Sequence, residues 1–144
     1  GGPGRRPYPT PLAWYIDSIR LMAAGRSWEE LKRFSPSWTE AQLRLRAQWL
    51  HTCDETAIEQ AWNGFHTDDI HADFASLAVP GLLMMAGRGG VIQNDDAAEI
   101  ARLSPCLQQV IATDAGHMIP WDDEAGFFRL LGQYLKLSFQ PEGA

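Results

Sequence analysis

The sequence lacks the concentrated positive charge that nucleic-acid binding requires. Its 144 residues carry a net charge of −6, and the 12 lysines and arginines are scattered along the chain. It also lacks any apolar run near the ~20 residues of a membrane span, and its first residues do not have the charged-then-apolar layout of a signal peptide. We therefore expect no nucleic-acid partner, no membrane contact and a cytoplasmic location.

The sequence also has few cysteines and no pair of histidines at a spacing that would direct both at one metal ion. Cys53 and Cys106 lie far apart without a CxxC partner. Two buried, reduced thiols are the interpretation that suits a cytoplasmic protein, and a disulfide is the alternative. The run HTDDIHAD contains His66 and His71, which are five residues apart and diverge on a helix. Because zinc sites need converging ligands, we expect a solvated loop or helix start there, with no metal.

What is present is the composition of an ordinary globular protein. Hydrophobic residues make up 45% and charged residues 21% of the chain, which is long enough to bury a core. The residue composition and the hydrophobic pattern change along the sequence. Residues 1–11 are rich in proline and glycine and predict a loop, residues 12–77 are helical in pattern, and residues 78–144 alternate between strand and helix.

The helical region contains apolar spacings of three to four residues and several capping signals. Ser27 with Glu30, and Thr39 with Gln42, have the spacing of capping boxes, and Asp54 can cap a further helix. The predicted helices are residue 12 to near Gly25, a short one after Ser27 through Phe34, Glu40–Leu50, one from Asp54 to near Gly64, and a short one over residues 69–76.

The last region predicts a βαβα unit. The run GLLMMA at residues 81–86 is apolar throughout and stops at glycines, which is typical of a strand buried on both faces of a parallel sheet. A helix from Asn94 or Asp95 to about Leu103 and a second strand over residues 107–112 follow. A final helix starts at Asp122 or Asp123. Short connections of this kind imply a parallel pair of strands, and hence an α/β fold.

One histidine lies where such a fold places its ligands. His117 follows the second strand in the segment TDAGHMIPWDD, and open α/β sheets bind ligands beyond the carboxyl ends of their strands. Gly116 allows a tight turn and a close approach of another segment. From the residues alone, a histidine that only hydrogen-bonds within a loop is the slightly favoured interpretation.

The sequence of this region resembles that of the α/β-hydrolase superfamily. The resemblance is to the last two strands and the closing helix of that fold. It lies in the segment VPGLLMMAGRGG, the helix after it, and the segment LQQVIATDAGHMIPWDDEAGFFRLLGQYL. Within this superfamily, the sequence is most similar to the N-formylmaleamate deformylase-like amidohydrolases. The similarity lies in the segments GPGRRPYPTP, the WY that follows it, and AGHMIPWDD. The resemblance implies that residues 12–77 are a helical cap and that residues 78–144 are the C-terminal part of the core. It also implies that His117 is the triad histidine.

Two departures from the family pattern matter. No G-x-S-x-G elbow occurs in the chain, so the nucleophile is expected upstream of residue 1. Where many members carry the triad acid, this sequence has Arg88, Gly89 and Gly90. Asp95 and Asp96 are better interpreted as helix-cap residues, which places the acid upstream as well. The chain alone is therefore expected to be inactive.

Several other residues are candidates for substrate contact. Trp14 and Tyr15 follow the first loop and, with Met118 beside the histidine, are candidates to line a pocket between cap and sheet. Arg5 and Arg6 could bind a substrate carboxylate by bidentate contacts, but solvated loop charges are the simpler interpretation.

The resulting prediction is a hydrolase of a small-molecule amide or ester that uses an acyl-enzyme intermediate and no cofactor. The alternatives are a hydrolase-fold binding or receptor protein without chemistry, and an isolated helical interaction module. The strand at residues 81–86 should lack a neighbour on one side. A missing N-terminal half, a second chain or a swapped copy would complete the sheet.

Overall fold

The structure is a computed structural model and describes residues 7–137. The chain divides into two compact units between Asp68 and Asp69. The first contains α1 (Leu12–Ala23), a 3₁₀ helix (Trp28–Arg33), α2 (Glu40–Leu50) and α3 (Glu55–Thr67). The second contains α4 (His71–Ser76), β1 (Gly81–Ala86), α5 (Asn94–Leu103), β2 (Leu107–Ala112), α6 (Ile119–Asp122) and α7 (Glu124–Leu135).

Local signals explain where the helices of the first unit begin. The Thr39 hydroxyl accepts from the Gln42 amide at 3.3 Å, and the Gln42 side chain accepts from the Thr39 amide at 2.9 Å, which completes the predicted capping box. Asp54 accepts from the Ala57 amide at 2.8 Å and caps α3. The apolar side chains buried in this unit are Ile19, Met22, Leu31, Trp38, Leu43 and Leu50.

Two predictions for this unit, one capping partner and one helix end, are wrong in detail. The Ser27 hydroxyl accepts from the Glu29 amide rather than from that of Glu30, and the segment forms a 3₁₀ helix. Glu30 instead pairs with Arg26 at 2.9 Å. Helix α3 continues past Gly64 to Thr67. Gly64 does not adopt the left-handed conformation by which glycine ends a helix, so it is an ordinary helical residue there.

The second unit is the predicted βαβα unit. β1 and β2 pair in parallel, with Gly81 opposite Leu107 and Ala86 opposite Ala112. α5 connects the two strands and α7 packs against β2. The buried cluster beside β2 consists of Ala112, Ala115, Ile119 and Leu130. These observations confirm a partial α/β fold with a parallel sheet.

Strand β1 has one neighbour within residues 7–137, which is β2. Its other edge therefore faces no strand of the described chain. Met85 is buried, but the other residues of β1 are only half-buried, so the expectation of a strand buried on both faces is not met. Helices cover the faces of a parallel sheet, so the half-buried apolar side chains of β1 are covered only in part by the described helices.

Both cysteines are free thiols. Cys53 is exposed, so the prediction that both thiols are buried is wrong for it, because Cys53 lies in the turn between α2 and α3. Cys106 is half-buried and its Sγ lies 3.4 Å from the Leu77 carbonyl oxygen.

The division into units differs from the sequence-based boundary after Leu77. Helix α4 packs against α5 and belongs to the second unit. The assignment of residues 12–77 to a cap concerns a whole hydrolase and stays a prediction. Within residues 7–137, no helix has both the length and the apolar character needed to cross a membrane.

Candidate active site

His117 lies in the loop that follows β2, at the carboxyl end of the parallel pair. The loop is anchored on both sides of the histidine, because Ala115 is completely buried and Ile119 is 9% exposed. Both belong to the buried cluster that α7 covers with Leu130. His117 itself is exposed. The fold therefore holds an imidazole in solvent contact between two fixed points.

The loop after β1 braces the loop that carries His117. The Gly87 amide donates to the Ala112 carbonyl at 2.8 Å, and the Arg88 amide donates to the Ala115 carbonyl at 2.9 Å. A Cβ at Gly87 would lie 2.6 Å from the backbone of Thr113, so the two loops are in contact that only glycine allows. These bonds fix the backbone two residues before His117.

Gly116, for which the sequence predicted a close approach, has a role comparable to that of Gly87. A Cβ at Gly116 would lie 2.8 Å from a carboxylate oxygen of Asp122, the last residue of α6. The turn before His117 therefore packs against the helix that follows it. The prediction that a helix begins at Asp122 or Asp123 is met by α7, whose N-cap Asp123 accepts from the Gly126 amide at 2.9 Å.

The imidazole of His117 makes no hydrogen bond to any residue of the described range 7–137. A triad histidine needs a nucleophile at one ring nitrogen and an orienting acid at the other. Neither partner is supplied by residues 7–137, which is the arrangement expected if both lie elsewhere in a longer protein.

Asp96 has the cap role that the sequence indicated. It is 3% exposed, and its carboxylate accepts from the Gln93 amide at 2.7 Å to complete a capping box at the start of α5. Asp95 is exposed in the first turn of the same helix. The buried Asp96 carboxylate therefore caps the start of α5.

Trp14 and Tyr15 lie in an aromatic cluster of the first unit. Their rings meet edge to face at 4.9 Å, and the Tyr15 hydroxyl hydrogen-bonds that of Tyr8 at 3.0 Å. Burial, followed by this hydrogen bond, raises the pKa of Tyr15 to about 12. The cluster also contains Arg46, whose guanidinium carbon lies 5.7 Å from the Trp14 ring centre. Sequence reasoning missed Arg46, since nothing in the helical pattern separates it from its charged neighbours.

Met118 and two further histidines complete the set of candidates. Met118 is 40% exposed beside His117. His66 donates to the Trp62 carbonyl at 3.0 Å, and His71 is buried with Nδ1 2.5 Å from the Asp69 carboxylate. Residues 7–137 contain no group of three side chains placed to hold a metal. Arg5 and Arg6 lie outside the described residues.

Comparisons with known proteins confirm the resemblance to the deformylase-like α/β-hydrolases. No family model matches the chain. The chain is 51% identical over 134 residues to the N-formylmaleamate deformylase of Pseudomonas putida, which covers 93% of this chain and 50% of that protein. It also superposes on the crystal structure of the N-formylmaleamic acid deformylase Nfo of Pseudomonas putida S16, an α/β-hydrolase solved as a variant. That match has a TM-score of 0.85 and 50% identity, and it covers 91% of this chain and 52% of the other. The chain therefore spans about half the length of the curated relative that it matches.

Proposed function

Because the chain matches half of an N-formylmaleamate deformylase, we propose that it is the C-terminal part of a hydrolase acting on a small-molecule amide. The substrate class is an N-formyl amide, and N-formylmaleamate is the first compound to test. The observation that carries the proposal is His117, exposed at the carboxyl end of a parallel strand pair within a chain of this identity.

In the proposed reaction His117 is the base and then the acid. It accepts the proton of a serine hydroxyl as the serine oxygen attacks the formyl carbonyl. The tetrahedral intermediate collapses, the carbon–nitrogen bond breaks, and the imidazolium gives its proton to the leaving nitrogen. His117 then takes a proton from water as the water oxygen attacks the formyl-enzyme. The bond between the formyl carbon and the serine oxygen breaks, the imidazolium returns its proton to the serine oxygen, and formate leaves. The serine and the triad acid come from the part of the protein before residue 1.

The missing part also explains the open edge of β1. We propose that residues 12–77 form the cap, that the chain from residue 78 forms the end of the core, and that a preceding segment supplies the strand beside β1. Apart from β2, no strand within residues 7–137 pairs with β1. Buried backbone amides without partners cost roughly 1–3 kcal/mol each, so a stable protein would cover this edge. A second chain or a swapped copy are the other ways to do so.

The test is formate release from N-formylmaleamate by the complete protein that contains this chain. We expect turnover by the unmodified protein and a loss of at least ~10³-fold in His117→Ala, with the same thermal midpoint. His51→Ala is the matched control, since His51 is exposed at the end of α2 and should be dispensable. Turnover in the His117 variant equal to the control would refute the assignment. No turnover in the unmodified protein would favour a binding protein of hydrolase fold.

A further inference from the structure

Arg46 on α2 is a half-buried cation without an anionic partner. Its Nε is buried and has no hydrogen-bond partner, and no carboxylate within residues 7–137 pairs with it. Three other arginines of the first unit are paired, and one of them, Arg26, binds Glu30 at 2.9 Å. Arg20 binds Glu55 at 2.6 Å, and Arg44, on the same helix as Arg46, binds Glu40 at 2.7 Å. Arg33 has no ion pair within residues 7–137 either, but it is exposed. Arg46 differs from it in being half-buried, with a buried Nε.

Aromatic rings hold this guanidinium in place. Its carbon lies 5.7 Å from the centre of the Trp14 ring and 5.4 Å from that of Trp38. Trp38 is 6% exposed, so one of the two rings is fixed by burial. Trp14 is held in turn by Phe34, whose ring meets it edge to face at 5.8 Å. The charge is thus positioned by contacts that do not neutralise it.

The phenol of Tyr15 is close enough to Arg46 to interact with it electrostatically. Tyr15 follows Trp14 directly, and its hydroxyl is bonded to that of Tyr8. Tyr8 is itself fixed, since its ring stacks on Phe65 with centres 4.5 Å apart. The pKa of Tyr15 lies at about 12, chiefly because of burial, so its phenol remains a hydrogen-bond donor at neutral pH. One of the two O–H groups is used in the bond between the tyrosines, and the other is left as a donor. A cation and a phenolic donor together form a set suited to an anion.

Burying a charge without a counter-charge is unfavourable, and buried cations are normally paired. Burial lowers the pKa of Arg46 in agreement with this, yet arginine stays charged in proteins. The planar guanidinium matches a carboxylate in a bidentate pair, a geometry that lysine cannot provide. A carboxylate bound here would supply the partner that the described chain does not.

We propose that Arg46, with the hydroxyl pair of Tyr8 and Tyr15, binds the carboxylate of the small-molecule ligand. The identity of that ligand rests on the proposed function: N-formylmaleamate, and the maleamate left after loss of the formyl group, each carry one carboxylate. A purely structural role would be different, because Arg46 would then only brace the rings of Trp14 and Trp38.

Equilibrium binding to the complete protein distinguishes these roles without requiring turnover. The probes are maleamate, which has the carboxylate, and the uncharged diamide maleamide, measured by titration calorimetry. Arg46→Met keeps most of the side-chain volume and removes the charge. We expect it to weaken maleamate binding by ~10- to 100-fold, as for a lost charged hydrogen bond, and to leave maleamide binding unchanged. Arg44→Met is the matched control, since Arg44 also lies over an indole, that of Trp28, at 4.3 Å.

Arg46→Lys keeps the fold if the methionine variant does not, because it retains a cation over the rings. It should weaken maleamate binding several-fold, since it lacks the bidentate fork. The proposal is overturned if the Arg46 variants bind maleamate as the control does, if they lose both probes equally, or if the unmodified protein binds no maleamate. Selective loss of maleamate binding in a protein that releases no formate would support the Arg46 site and refute the proposed reaction alone.

Discussion

The contact between the two loops at the carboxyl ends of β1 and β2 makes Gly87→Ala an informative change. The added Cβ would lie 2.6 Å from both the Cα and the carbonyl oxygen of Thr113, where ordinary contacts are ~3.5–4 Å. Because these atoms are backbone, the strand ends must separate by about 1 Å. That movement strains the hydrogen bonds that hold Ala112 and Ala115.

Overpacking of this kind costs ~1–3 kcal/mol, and weakening two backbone hydrogen bonds adds roughly 1 kcal/mol. For a protein of the length of the matched deformylase, about twice that of this chain, a loss of ~3 kcal/mol lowers the thermal midpoint by roughly 5 °C. His117 follows the displaced segment, and a shift of about 1 Å in a catalytic group costs ~10²-fold in turnover. Calorimetry and formate release measure the two effects in one preparation.

Gly81→Ala, at the other end of β1, is the matched control. Its Cβ would meet only the Cδ2 of Leu107, at 2.5 Å, which is the end of a flexible side chain. We expect a loss below ~1 kcal/mol and unchanged turnover, since one side chain can rotate away. Equal behaviour of Gly81→Ala and Gly87→Ala would show that the close approach does not position His117.

The remaining predictions concern stability. Leu43→Ala, at a fully buried position of α2, should cost ~2–5 kcal/mol, whereas Leu45→Ala, at a 42% exposed position, should change stability by less than ~0.5 kcal/mol in chemical unfolding. Hydrogen bonds from Arg20 hold the pKa of Glu55 below its usual 4.5, so the stability that this pair contributes is present above pH 4.5 and is lost as the pH falls through the lowered pKa. Glu55→Gln should therefore reduce the acid sensitivity of the thermal midpoint, and an unchanged pH profile would contradict this. Asp96→Ala should cost ~0.5–2 kcal/mol through the lost capping box and less than ~10-fold in turnover; a larger kinetic loss would place Asp96 in the chemistry.

Sequence reasoning predicted the elements whose signals are local. The run at residues 81–86 and its partner at 107–112 form the expected parallel pair. A short apolar run bounded by glycines favours a buried strand, and this signal is local. The capping residues Thr39 and Asp54 placed two helix starts correctly, since their hydrogen bonds involve residues three positions away.

Features that depend on tertiary packing could not be predicted in this way. Glycine often ends a helix, but Gly64 lies within α3. Its position in the sequence does not reveal whether its backbone adopts the left-handed conformation. The exposure of Cys53 depends on what covers a turn. Arg46 contacts Trp14 and Trp38 through packing between separate elements. The motif indicates His117, but its role stays a prediction, because no residue of the described range bonds to its imidazole.

The most direct test of the central claim is a chimera that joins the first half of the Pseudomonas putida N-formylmaleamate deformylase to residues 1–144. If this chain is the C-terminal part of such a hydrolase, each half alone is inactive and the chimera releases formate from N-formylmaleamate. The chimera with His51→Ala should remain active, and the chimera with His117→Ala should fold and lose at least ~10³-fold in turnover. Formate release that is unaffected by His117→Ala, or a well-folded chimera that releases no formate, would contradict the account.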